Sequence, residues 1–103
     1  MLYLFIYPIF IIFILKEMTL MNTGGDRGQD ARINESFTLN ELEIGHRLGI
    51  THFQLDDGWQ YGRTKNSAFV GGSLENIWTR ENFWSVHPDR FPNGLGPVVK
   101  KSK

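Results

Sequence analysis

The sequence predicts an α/β fold, and three observations carry that expectation. Two short apolar runs, Met18 to Thr23 and Ile50 to Leu55, have strand length and are bounded by charge or by Gly-containing turn signals. Between them, Asn34 to Leu48 places Phe37, Ile44 and Leu48 on one helical stripe that Leu39 and Leu42 widen. The order strand, loop, helix, strand within roughly 40 residues is that of a βαβ unit, whose two strands run parallel.

The ends of each element are also legible. After the first strand, Gly24-Gly25-Asp26 opens a loop that runs to Asp30, in which Asp26 and Arg27 are placed to pair with each other. Asn34, Ser36 and Thr38 are all candidates to cap the helix start, Thr38 with Glu41 three residues on as a capping box. His46 and Arg47 supply a cationic last turn, and Gly49 a left-handed stop. The second strand follows at once. Beyond Gln60 lies a long Gly-, Asn- and Ser-rich stretch holding Trp78, Phe83 and Trp84. Three large aromatics give a loop packing of its own, which argues for an ordered excursion rather than disorder. Pro97 then sits where a helix begins, and the second helix has only just started by Lys103.

Residues 1–16 read as an apolar leader distinct from residues 17–103. Met1 to Leu15 carries no charged side chain and contains Pro8. A spanning helix takes about 20 apolar residues, so this run falls short. A secretory signal has a basic start and a small-residue cleavage site, and neither is present. The third reading is a stretch that replaces what ordinarily precedes such a domain, through a displaced start or a rearranged gene. The cytoplasm is the expected compartment, with membrane association through residues 1–15 as the alternative.

Composition narrows the function classes. Lys plus Arg and Asp plus Glu both number 11, which leaves no net field to draw nucleic acid. There is no cysteine, hence no disulfide framework, thiol nucleophile or thiolate zinc site. His46, His52 and His87 lack metal-ligand spacing, so no metal and no cofactor is expected.

The segment His52-Phe53-Gln54-Leu55-Asp56-Asp57-Gly58-Trp59-Gln60 carries the chemistry. Two carboxylates and an indole follow a short strand directly, the place where parallel α/β folds present ligand-binding groups. Carboxylates accept hydrogen bonds from vicinal hydroxyls, and an aromatic face suits the C–H side of a sugar ring. Asp57-Gly58 is also a common tight-turn dipeptide, and a Trp after a turn often just covers the core.

Several motifs in order extend this segment. They are Asn22-Thr23 with Gly25-Asp26-Arg27-Gly28-Gln29-Asp30, then Leu48-Gly49-Ile50, Phe53 to Gln60, and Phe91-Pro92-Asn93-Gly94-Leu95 with Pro97-Val98-Val99. Together they resemble the melibiase-type α-galactosidases, glycoside hydrolase family 36, over roughly residues 17 to 103. The resemblance implies a fragment of a (β/α)8 TIM barrel, with the first two βα units present and the second incomplete. A closed barrel takes about 250 residues, against 103 here. It further implies that Asp56 and Asp57 bind hydroxyls of a terminal α-galactoside and that Trp84 packs against the sugar, a core aromatic being the other reading of Trp84. Where relatives read Asn-Thr-Trp-Gly-Asp-Arg, this chain has Gly24 in place of the Trp.

Retaining glycoside hydrolysis needs a nucleophilic carboxylate and an acid about 5 to 5.5 Å apart. Adjacent strand residues point to opposite faces, so Asp56 and Asp57 do not fill both roles. By the resemblance the catalytic aspartates come from later strands, and none is expected in this chain. The expected function is a truncated α-galactosidase-type hydrolase, inactive alone, with the rest of the barrel as a candidate folding partner. The alternatives are a membrane-tethered, non-catalytic carbohydrate binder and a non-functional gene remnant.

Overall fold

The structure is a computed structural model and describes residues 2–6, 19–23, 32–63, 76 and 79–103. Among these residues, three strands, β1 (Tyr3–Ile6), β2 (Leu20–Asn22) and β3 (His52–Leu55), and two helices, α1 (Glu35–Arg47) and α2 (Gly96–Ser102), are the regular elements described. All strand pairs are parallel and the sheet order is β1-β3-β2. The expected βαβ unit is present as β2, α1 and β3, with Leu20 opposite His52, Met21 opposite Phe53 and Asn22 opposite Gln54.

β3 is the central strand, and its sequence suits that place. His52, Phe53 and Leu55 are buried, a near-continuous apolar burial that fits a strand covered on both faces. Phe53 and Leu55 join Leu2, Ile33, Leu42, Trp59, Phe91 and Val98 in one core.

β1 was not foreseen. The opening residues of the apolar leader lie in the sheet, with Tyr3 opposite His52 and Ile6 opposite Leu55. The Leu2 amide donates to the Ser102 carbonyl at 3.0 Å and the Tyr3 amide to Thr51 at 2.8 Å, while the Tyr3 ring stacks on His52 at 4.9 Å. A short apolar run with no polar periodicity does not distinguish strand from helix, which is why the sequence withheld this element. The rest of the leader, residues 7–16, lies outside the described residues. Among the described residues no helix is long and apolar enough to cross a membrane.

At the start of α1, Asn34 has extended backbone and its side-chain oxygen accepts from the Phe37 amide at 2.8 Å. Of the three cap candidates the structure therefore selects Asn34. Thr38 lies one turn inside the helix, fully buried and with its hydroxyl unpartnered, so it makes no capping box with Glu41. Asn34→Ala should cost about 1 kcal/mol, read as a lower midpoint in urea denaturation at unchanged slope.

The other end of α1 closes as a Schellman turn. Gly49 adopts φ +72°, its amide donates to His46 and the Ile50 amide to Gly45. This turn carries Leu48 out to 69 % exposure, so Leu48 does not extend the buried stripe as its spacing suggested. The buried positions are instead Thr38, Leu42 and Gly45.

α2 begins with Pro97 in its first turn, where a missing N–H costs nothing. It lies against α1: His46 Nε2 meets the Lys101 carbonyl oxygen at 2.9 Å, and Lys101 Nζ pairs with Glu43 at 2.6 Å. The hydrogen bond and charge of Lys101, with a smaller contribution from Arg47, hold the Glu43 carboxyl below its ordinary value of 4.5.

Candidate functional site

The carboxyl end of β3 runs directly into a tight turn held at each residue. The Asp56 amide donates to Thr23 Oγ1 at 2.9 Å, which ties the turn to the end of β2. The Asp57 amide donates to Asp56 Oδ1 at 2.8 Å. Gly58 adopts φ +116°, a backbone that side chains rarely tolerate, so glycine is required there. The Gly58 amide donates to Gln60 Oε1 at 3.1 Å, and Gln60 Nε2 donates back to Asp57 Oδ1 at 3.2 Å. The tight-turn reading of Asp57-Gly58 is thus visible at these residues.

Arg90 supports this turn from a distant part of the chain. Its Nε donates to the Gly58 carbonyl at 2.8 Å and its Nη2 to the Gln60 carbonyl at 3.1 Å. The fixed fork of a guanidinium matches two backbone carbonyls spaced in this way, and it sets a positive charge beside a turn bearing two carboxylates.

Arg90 is brought there by an antiparallel pairing. The His87 amide donates to Trp59, Tyr61 to Ser85 and Gly62 to Phe83, at 2.8 to 2.9 Å, with a bridge between Gln60 and Val86. This ribbon lays the Trp84 indole on that of Trp59, with ring centroids 6.4 Å apart and planes at 26°. Phe83 meets Trp84 edge to face at 4.7 Å. Trp84 is 39 % exposed and Asp57 6 %, with Asp56 between these extremes.

Each predicted site residue therefore has a definite place. Asp56 and Asp57 sit consecutively at the strand end, and Trp84 joins them through Trp59, two residues after Asp57. Gln60, Arg90 and Thr23 were missed as site residues. Gln60 follows the Asp-Asp-Gly-Trp run directly, and that adjacency was the one available signal; Arg90 is 30 residues away and nothing local marks it. Asp26, Arg27, Trp78 and the Gly24 position lie outside the described residues.

The three histidines have structural partners. His52 Nδ1 lies 2.7 Å from Thr51 Oγ1, and His87 Nδ1 accepts from the Asp89 and Arg90 amides. Among the described residues no group of three or more His, Asp or Glu could hold a metal ion. An open cleft of about 620 Å³ between α1 and α2 is lined by Leu39, His46, Pro97 and three lysines, and by none of the predicted site residues.

These features define an α/β protein with a carboxylate and indole cluster at the carboxyl end of a central parallel strand. Its relatives are more specific. The chain is 39% identical over 71 residues to α-galactosidase C of Emericella nidulans, covering 66% of this chain and 8% of the relative. It is 31% identical over 70 residues to α-galactosidase 2 of Pediococcus pentosaceus and 30% identical over 70 residues to an α-galactosidase of Escherichia coli. Each of these covers 68% of this chain and 8% of the relative. The chain is an α-galactosidase-like segment, and it spans about 8% of the length of the relatives it matches. No protein-family model and no solved structure matches it.

Proposed function

We propose that residues 17–103 are the first part of the (β/α)8 catalytic barrel of a retaining α-galactosidase, with β2, α1 and β3 as its first βαβ unit. In this reading Asp56 and Asp57 hold hydroxyls of a terminal galactose and Trp84 lies against the sugar ring, while the nucleophile and the acid belong to other strands. The observation that carries it is the Asp pair placed by β3 at the strand's carboxyl end, in a chain similar to α-galactosidases. Binding contacts alone accelerate no reaction unless they strengthen in the transition state, so the segment grips its sugar without cleaving it. The open edge of β2 would then be completed by a further strand of the barrel, and the third barrel strand would take the place that β1 holds beside β3. The lack of cysteine suits a reducing compartment, and we place the protein in the cytoplasm.

Calorimetric titration of the full chain with galactose tests this. Asp56→Ala should weaken binding by at least about tenfold, the scale of one charge-assisted hydrogen bond. A chromogenic α-galactoside should remain uncleaved. Absence of binding to the wild-type chain would overturn the sugar reading, and hydrolysis would overturn the assignment of the chemistry to other strands.

A further inference from the structure

We propose that Gln60 is a positioning residue for the galactoside: it fixes the direction of the Asp57 carboxylate, while Arg90 fixes the turn that carries both. The inference rests on the sugar-binding reading of Asp57. Gln60 is a fully buried glutamine three residues after Asp57. A buried amide must place both its oxygen and its nitrogen, and Gln60 does so within one turn. Its oxygen takes the Gly58 amide and its nitrogen gives to Asp57 Oδ1, so the side chain bridges the turn from residue 57 to residue 58. Its own carbonyl is held by Arg90. The glutamine therefore has no freedom to rotate without breaking a bond at each end. An amide donor is the group needed opposite a carboxylate that must stay charged and fixed while it accepts sugar hydroxyls. Asn at this position would be one methylene too short to span both contacts, and Glu would present an acceptor where a donor is required.

Gln60→Glu isolates the effect, because it keeps the acceptor for Gly58 and removes only the donor to Asp57. Two facing carboxylates then share one proton at low pH and repel at high pH. Among the described residues, the other charged or titratable groups around the turn are Asp56 on its own segment, and Arg90 and His87 on the segment packed against it. All three are common to variant and wild type, so the difference in pH profile reports position 60. Galactose affinity of the full-length variant should approach that of the wild type at pH 5 and fall about tenfold or more below it by pH 8. A profile parallel to that of the wild type overturns the proposal.

Two further readouts separate its failure from failure of the sugar reading. If the wild-type chain binds no galactose, the sugar reading falls. Position 60 is then judged by carboxyl carbon NMR, in which the Asp57 titration should move upward in Gln60→Glu, and an unmoved titration overturns it. If the variant does not fold, the wild-type chain decides. A slowly exchanging Gln60 side-chain amide proton whose shift follows the Asp57 titration supports the bond, and rapid exchange with no such response overturns it.

Discussion

Gly62→Ala should destabilise the protein by about 3 kcal/mol and separate the aromatic cluster from the acidic turn. A Cβ built on Gly62 falls on the ring carbons Cγ, Cδ2 and Cε2 of Phe83, far inside contact distance. Relief is hard to find. Phe83 is buried, its carbonyl accepts from the Gly62 amide at 2.9 Å, and its ring is wedged edge-on against Trp84. The ring can retreat only by pushing Trp84 off Trp59, and the backbone can retreat only by opening the pairing that delivers Arg90. Urea denaturation followed by Trp fluorescence measures both effects, since the indole stack should loosen as stability falls. A variant within 1 kcal/mol of the wild type, with unchanged emission, would show that the ribbon is more pliable than its packing implies.

Phe53→Ala should be more damaging still, at roughly 3 to 5 kcal/mol. Phe53 is fully buried in the middle of β3, opposite Leu4 on one side and Met21 on the other. Truncation leaves a void where strands on both sides and the helix above converge, and the parallel backbone cannot close around it. Small domains hold only about 5 kcal/mol or little more in reserve, so the variant should lose its cooperative transition at 25 °C. Circular dichroism during thermal melting checks this. A sharp transition close to that of the wild type would mean that β3 is not the centre of the core.

The parts of this fold that could be read in advance are those whose causes are local. A cap three residues before an amide, a glycine that alone tolerates φ +72°, and a helical stripe all act within a few positions. α1 accordingly lies at Glu35–Arg47, close to the expected span of 34 to 48. β3 was legible because its β-favouring run follows that stop directly. β1 was not, since an unbroken apolar run carries no period to identify its structure, and only the vacant side of β3 decides it. Among the site residues, the acidic pair announced itself by spacing. Gln60 showed only by its adjacency to that pair, and Arg90 not at all, because the guanidinium acts on carbonyls some 30 positions away through a ribbon whose pairing no local rule dictates.

The hydrogen bond from the Leu2 amide to Ser102 joins segments at opposite extremes of the sequence. Contacts of such separation form late, since roughly 100 intervening residues must be closed into a loop before they repay its entropy. During synthesis β1 would therefore pair with β3 first, and its tie to α2 would lock afterwards, once residue 102 has left the ribosome.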